Sequence, residues 1–130
     1  MRLLGIDYGT KRVGIAISDE SAFIAREFSV LSPKEFLKRI PKLVDEQEIG
    51  KLVVGLPLNM QGKHSKKTEE VVSFISELEK ILNIPIVSSD ERLSTVMAHR
   101  LPGGRAKTDS LAAQIILQNY LDSERNKNNE

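Results

Sequence analysis

The 130-residue sequence predicts an α/β fold in which a mixed five-stranded sheet is flanked by helices. Short apolar runs, rich in β-branched residues and bounded by turn residues, mark the strands. The first three strands follow one another through short turns, which favours antiparallel pairing. The later strands alternate with helical patterns, and connections of that kind favour parallel pairing. A sheet with both kinds of pairing is therefore expected.

The amino-terminal third predicts three strands. Residues 3–6 are apolar and too few for a helix, and Gly9 supplies the permissive backbone of a tight turn. In residues 13–18 bulky and small side chains alternate, which is the period of a strand. Residues 23–30 complete the set.

The first helix has clear start signals and one contrary signal. Ser32 suits the N-cap, Pro33 suits the first helical position, and Glu35 stands where a capping-box partner reaches back to the cap. Pro41 falls inside the same apolar periodicity and removes a backbone donor. We therefore predict either a kink at Pro41 or a helix that begins later than the caps suggest.

The rest of the chain alternates strands and helices. A strand is expected over residues 51–56, a long helix through 71–81, and a short strand over 84–87. A helical stretch then ends at Pro102, and the last helix begins near Thr108.

The chain is predicted to form one domain. The last helix is apolar around most of its circumference, which predicts deep packing. A single domain over residues 1–121 follows, with residues 122–130 as a polar, frayed tail.

Composition excludes several function classes. The chain has no cysteine, so thiolate nucleophiles, disulfides and Cys-ligated metal sites are excluded. Nineteen basic and 18 acidic residues give a formal charge of +1, so affinity for nucleic acid must come from local patches. The four-residue apolar run before Asp7 is far shorter than a signal-peptide core, and no segment has membrane-spanning length. A cytoplasmic protein with no membrane partner is expected.

Asp7 is the first candidate for chemistry because it stands where an apolar strand meets a glycine turn. An aspartate there also commonly caps the turn through its own backbone, and this reading carries about even weight. The alternative is a ligand for Mg²⁺, which prefers carboxylate oxygens and keeps positions open for water and phosphate. Further acids near Asp7 would favour the metal.

Two more acids lie where they can converge on that edge. Glu91 follows the last predicted strand, and Asp109 falls in the first turn of the last helix. Clustered carboxylates repel one another unless a cation or strong hydrogen bonds balance them, so together they favour a divalent metal. Each also has a structural reading, since Asp109 is stabilised by the helix dipole. Asp90 is a second-choice ligand because strand alternation points it away from Glu91.

Four strings in this order resemble the YqgF family over nearly the whole chain. They are GIDYGTKRVGIAISD at 5–19, VVGLPLNMQG at 53–62, DERLST at 90–95, and DxxAAxxILxxYL from Asp109. The resemblance implies an RNase H-like fold, kinship with Holliday-junction resolvases, and trimming of the 5′ end of precursor 16S ribosomal RNA. It also implies that Asp7, Glu91 and Asp109 form the acidic triad of a metal-dependent phosphodiesterase that binds two Mg²⁺ or Mn²⁺ ions.

The chain departs from the family pattern between Glu91 and Asp109, where its connection is unusually compact. This affects the expected grip on substrate more than the metal site. Basic loops are often merely solvated, yet these lie near the acidic edge, where they can contact phosphates. The predicted substrate-binding residues are Lys11, Arg12, Asn59, Lys63, Arg92, Arg105 and Lys107.

Several alternatives remain open from the sequence. Structured RNA is the preferred substrate, branched DNA is an alternative, and the protein is a monomer or a homodimer. A non-catalytic RNA-binding assembly factor would keep the fold and lose the chemistry. A kinase of the actin type is disfavoured because the motif D-x-G occurs only at Asp7. His64 and His99 are expected to be solvated or hydrogen-bonded rather than catalytic.

Overall fold

The structure, a computed structural model, describes residues 1–57, 65–90 and 105–128, with the backbone alone at 105–109 and 128. Within these residues the strands are β1 (Arg2–Tyr8), β2 (Val13–Ser18), β3 (Ala25–Leu31), β4 (Ile49–Leu56) and β5 (Ile86–Asp90). The helices are α1 (Pro33–Glu46), α2 (Lys66–Ile81) and α3 (Arg105–Asn128).

The five strands form one mixed sheet in the order β3-β2-β1-β4-β5. β2 is antiparallel to both β1 and β3, whereas β1 with β4 and β4 with β5 are parallel. The predicted fold class is thereby confirmed. Because β1, β4 and β5 run in the same direction, their last residues lie along one rim, which we call the carboxyl edge.

Strand alternation divides the core between the two faces of the sheet. One face carries Leu4, Ile6 and Val54 and packs against α1 and α2, so we call it the α1/α2 face. The other carries Leu3 and Val53 and packs against α3, so we call it the α3 face. The central strands are buried on both sides, as expected for strands covered by two helical layers.

α1 begins where its caps predict and runs through its internal proline. The Ser32 side chain accepts a hydrogen bond from the amide of Glu35, and Pro33 is the first helical residue. Pro41 lies within the helix, so the predicted later start is wrong. Pro41 is exposed, which lets water replace the backbone bond that it removes. The Glu35 carboxylate pairs with Arg39 at 3.0 Å, although the sequence suggested the cap as its partner.

α2 begins with a capping box that the sequence analysis missed. The Ser65 side chain accepts from the amide of Thr68, and the Thr68 hydroxyl accepts from the amide of Ser65 at 2.9 Å. The same Thr68 hydroxyl donates to the carbonyl of Pro57, just beyond β4. The end of β4 and the start of α2 are therefore fastened together.

Two element boundaries differ from their predictions. β5 covers Ile86–Asp90 rather than 84–87, because the carbonyl of Pro85 receives the amide of Leu52 before regular pairing begins. α3 begins at Arg105 rather than near Thr108, and it continues to Asn128 through the predicted polar tail. Ion pairs one turn apart, Asp122 with Arg125 and Glu124 with Lys127, run along that last stretch.

Some predictions fall outside the described residues, among them the helical stretch that ends at Pro102. In the part of the chain that is described, no helix is long and apolar enough to cross a bilayer.

Candidate active site

Asp7 lies at the carboxyl edge, on the α3 face of the sheet. It is the second-last residue of β1, where it pairs opposite Gly14 of β2. It follows Leu3 and Gly5 at a spacing of two, so its side chain leaves the sheet on the side that α3 covers. Asp7 is half-buried. The predicted strand-end position of this carboxylate is therefore correct.

α3 approaches β1 most closely at Gly5. A Cβ at Gly5 would lie 2.6 Å from the Leu117 Cβ and 2.8 Å from the Ala113 carbonyl oxygen, so only glycine fits. Leu121 of α3 packs in the same cluster as Leu3 of β1. Ascending β1 therefore corresponds to descending α3, and the two elements are antiparallel.

This antiparallel packing fixes which part of α3 is nearest Asp7. Ala113 is level with Gly5, and one helical turn earlier along α3 is residue 109, at about 5.4 Å along the axis. Two residues further along β1 is Asp7, at about 6.6 Å along the strand. The backbone of α3 at Asp109 thus lies beside the strand end that carries Asp7.

Side chains of α3 fasten it to the edge strand β3 and its preceding loop. Gln118 accepts a hydrogen bond from the amide of Ala25 at 2.8 Å, and Gln114 donates to the carbonyl of Ala25 at 3.1 Å. Nearer the carboxyl edge, the buried Ser110 hydroxyl donates to the Glu27 carboxylate at 2.7 Å. The start of α3 is therefore held from β3 as well as from β1.

The turn between β1 and β2 presents two basic residues at the same edge. The amide of Gly9 donates to the carbonyl of Arg12 at 2.9 Å. A Cβ at Gly9 would meet that carbonyl oxygen at 2.8 Å, so this tight turn also requires glycine. Lys11 and Arg12 are exposed within it. Both predicted substrate-binding residues are accessible from solvent near the end of β1.

Tyr8 lies on the opposite face of the sheet from Asp7. Its ring stacks on Phe74 of α2, with the ring centroids 4.3 Å apart. One ring face is therefore already covered. The sequence marks Tyr8 as the aromatic best placed for a base, but this packing leaves at most its other face for stacking.

Asp90 also lies on that opposite face. It is the last residue of β5 and pairs with Leu56, which packs against the α1/α2 core. Directly paired residues of neighbouring strands point to the same side of a sheet. The predicted rank of Asp90 as a second-choice ligand agrees with this geometry.

The remaining predicted residues lie wholly or partly outside the described structure. Glu91, Arg92, Asn59 and Lys63 are not among the described residues, and at Asp109, Arg105 and Lys107 the description covers the α3 backbone alone. Among the residues whose side chains are described, no group of three or more His, Cys, Asp or Glu could hold a metal ion. Of the predicted triad, that search included only Asp7.

Gly5 is the positioning residue that the sequence analysis missed. A glycine within an apolar strand weakens the strand and commonly marks a close backbone approach. That signal was present in the string LLGID, where the predicted strand contained Gly5 without a reason for it. The reason is the helix that crosses it.

Solved structures with the same architecture are nucleases that act on branched DNA. One is Thermus thermophilus RuvC, titled as a complex with Holliday junction substrate. It has a TM-score of 0.62 and 14% identity, with 96% of each chain covered. Another is Fowlpox virus resolvase with Holliday junction DNA, with a TM-score of 0.57, 12% identity, and coverage of 95% of this chain and 99% of that one. The protein therefore has the RNase H-like fold of the resolvases.

Sequence comparison identifies the family. The family model described as "RuvX: Holliday junction resolvase" matches residues 1–123. A protein of Thermoanaerobacter pseudethanolicus named "Putative pre-16S rRNA nuclease" is 42% identical over 139 residues, covering 98% of this chain and all of its own. One of Caldanaerobacter subterraneus with the same name is 44% identical over 138 residues, covering 97% and 99%. The chain belongs to the RuvX family, which is also called YqgF, and it is a nuclease by kinship.

Proposed function

We propose that this nuclease cleaves RNA and trims the 5′ end of precursor 16S ribosomal RNA. The observation that carries the proposal is the packing of α3 on Gly5, which brings the backbone at residue 109 beside the strand end that holds Asp7. The name that its relatives carry supports the choice of RNA. The protein would act in the cytoplasm through one domain formed by residues 1–121.

Asp7, Glu91 and Asp109 are the proposed ligands of two divalent metal ions. Their carboxylate oxygens are the donors that Mg²⁺ and Mn²⁺ prefer, and Asp7 is accessible at a sheet edge rather than sealed in the core. When bound, such ions supply an activated water and stabilise the leaving oxygen of a phosphodiester. The chain itself contributes the rigid spacing, because the β1–α3 contact allows no side chain at Gly5.

The exposed basic residues of the edge are the proposed phosphate contacts. Lys11 and Arg12 lie in the turn that directly follows the strand of Asp7. Asn59, Lys63, Arg92, Arg105 and Lys107 are proposed to contact the substrate on the strength of the sequence alone. Such contacts hold the register of a nucleic acid without reading its bases.

Cleavage of a four-way DNA junction is the second candidate function. It is favoured by the printed description of the family and by the fold of the solved resolvases. A resolvase cuts two strands symmetrically, so this function calls for a two-fold dimer, whereas RNA trimming requires one site. The oligomeric state therefore bears directly on the choice between the two functions.

The test incubates purified protein with Mg²⁺ or Mn²⁺ on a precursor 16S RNA fragment and on a four-way DNA junction. Asp7→Asn removes one charge from the proposed metal site and should lower the cleavage rate at least about 100-fold. Asp45→Asn, on the exposed surface of α1, makes the same chemical change elsewhere and should keep the full rate. Mass measurement by light scattering gives the oligomeric state.

Each result decides between candidates. RNA cleavage that requires Asp7 supports the proposal, and junction cleavage by a dimer without RNA cleavage supports the resolvase function instead. Metal-independent RNA binding with no cleavage of either substrate would leave a non-catalytic assembly factor. Equal rates in Asp7→Asn and the unsubstituted protein would indicate a contaminating nuclease.

A further inference from the structure

A basic cleft lies beside the candidate active site, on the α1/α2 side of the carboxyl edge. Its volume is about 510 Å³, and it is lined by Tyr8, Gly9, Thr10, Lys66, Lys67 and Glu70. One wall is the end of β1 with the turn that follows it, and the other is the first part of α2. The cleft therefore begins at the residue next to Asp7.

The two lysines of the cleft are exposed, and the structure fixes the surface that carries them. Thr68 is fully buried and bonds both to Ser65 and to the carbonyl of Pro57, which anchors the start of α2 to the sheet. The stacked rings of Tyr8 and Phe74 join the opposite wall to the same helix. Lys66 and Lys67 thus project from a rigid wall, and they need little ordering to meet an anion.

The chemistry of the cleft fits the backbone of a nucleic-acid strand. Two ammonium groups and the Thr10 hydroxyl are donors suited to phosphate oxygens, and Gly9 has no side chain to obstruct a close approach. The volume is in the range of sites that hold a single small ligand, about 300–1,000 Å³. It accommodates one or two nucleotides and excludes a duplex.

We propose that a single RNA strand crosses the carboxyl edge from Asp7 into this cleft, with successive phosphates on Lys66 and Lys67. This inference rests on the proposed function and adds the path of the substrate to it. Asp7 and the cleft lie on opposite faces of the sheet, a separation of about 10 Å. At about 3.4 Å per stacked nucleotide, the contacted phosphates lie about three nucleotides from the scissile bond.

Glu70 makes the proposal sharper because it adds a negative charge to the same cleft. A phosphate bound near Glu70 is repelled by it and attracted by the two lysines. Neutralising Glu70 and neutralising the lysines should therefore change RNA affinity in opposite directions. A cleft that binds no phosphate would show neither effect.

The binding test uses a fluorescein-labelled 12-nucleotide single-stranded RNA with EDTA present, so that no metal-dependent cleavage interferes. The double variant Lys66→Gln/Lys67→Gln should lose roughly 25-fold affinity in 0.1 M salt, because each lost phosphate contact on a single strand flattens the log–log salt slope by about 0.7. Glu70→Gln should tighten binding severalfold. The control Lys38→Gln/Lys80→Gln removes two exposed lysines remote from the cleft and should bind like the unsubstituted protein.

A second measurement locates the contact along the strand. Uncharged methylphosphonates are introduced one at a time into an RNA that the protein cleaves in Mg²⁺. Substitution about three nucleotides from the cut should weaken binding to the unsubstituted protein and have little further effect in the lysine double variant. Such non-additivity is the signature of a direct contact.

The outcomes separate this inference from the proposed function. Affinity that is unchanged in the lysine double variant overturns the strand path, even where the protein cleaves RNA. Lysine-dependent binding without any cleavage keeps the path and rejects the nuclease proposal. A 12-base-pair duplex that binds more tightly than the single strand, with the same dependence on Lys66 and Lys67, overturns the single-strand assignment. A DNA strand of the same sequence tests whether the contact discriminates the sugar.

Discussion

The two faces of the sheet are packed by different kinds of residue. The α1/α2 face is filled by large side chains, including Phe36, Phe74 and Leu78, which are buried among the aliphatic residues of the strands. The α3 face uses small residues at its closest contacts, among them Gly5, Ala16 and Ala113. Large side chains hold two helices at a distance, whereas small ones let α3 lie almost directly on the strands.

This difference separates stability from positioning. Burial of large apolar side chains gives most of the hydrophobic stabilisation, and it tolerates small shifts of the helices. Close contact through glycine and alanine buries less area, but it fixes α3 relative to β1 within a narrow range. We therefore expect substitutions on the α1/α2 face to change the free energy of unfolding, and substitutions on the α3 face to change catalysis as well.

The largest expected effect on stability is that of Phe36→Ala. Phe36 is only 1% exposed and lies 5.5 Å from the Phe74 ring between centroids. Removing its ring should lower the free energy of unfolding by about 3–5 kcal/mol, measured by urea denaturation. The RNA cleavage rate per folded molecule at 20 °C should stay unchanged. A rate loss in proportion to the lost stability would contradict the division between the two faces.

Gly5→Ala should cost less stability and more activity. The new methyl group meets the Ala113 carbonyl and Leu117, so α3 must move outward, at a cost of about 1–3 kcal/mol. A displacement of about 1 Å between catalytic groups is enough to lower a rate about 100-fold. Single-turnover cleavage at saturating enzyme measures that loss separately from RNA binding.

Gly50→Ala is the matched control for this substitution. The added methyl group at Gly50 meets only the side chain of Met1, which lies at the chain terminus and can move aside. Gly50 is near the start of β4, at the end of the sheet remote from Asp7. Its cleavage rate should equal that of the unsubstituted protein, and an equal loss in both variants would would remove the special role of Gly5.

The smallest expected effect concerns Asp19, at the opposite end of the sheet from the carboxyl edge. The amides of Ile24 and Phe23 donate to its carboxylate at 2.9 and 2.8 Å, and they lower the pKa of Asp19 below its ordinary value. Its stabilisation is therefore fully present above the unfolded pKa of about 3.9, and it is lost as the pH falls through the lower folded pKa.

Asp19→Asn tests this dependence through urea midpoints at pH 7 and below pH 3. The variant should unfold at slightly lower urea than the unsubstituted protein at pH 7, and the difference should shrink in acid. Cleavage should be unaffected, because the Asp19 loop contacts the far end of α3 through the Phe23 carbonyl and Gln118. A difference that is equal at both pH values would exclude the charge of Asp19 as its cause.

Much of the fold was predictable because its signals are local. Alternation in residues 13–18 predicts β2, and Ser32 with Pro33 predicts the start of α1. The errors arose where tertiary contacts decide. The β5 boundary depends on pairing with β4, and the continuity of α1 through Pro41 depends on which side of the helix meets water.

The candidate site was predictable only in part. The strand-end position of Asp7 follows from the apolar run that precedes it, and the structure agrees. The close approach of α3 was not predictable, because no local pattern states which helix crosses which strand. The capping box of Ser65 and Thr68 did have a local signal, a serine followed three residues later by a threonine, and it was overlooked. The metal-ligand roles of Asp7, Glu91 and Asp109 remain predictions.

The bond from Thr68 to the Pro57 carbonyl has a consequence for engineering and for evolution. Because it joins the two ends of the stretch 58–64, that stretch can be exchanged as a cassette, and the cost of lengthening it grows only logarithmically with its length. Homologous proteins could therefore diversify here rapidly, and a designer could graft a foreign recognition peptide, with the hydrophobic interior left intact.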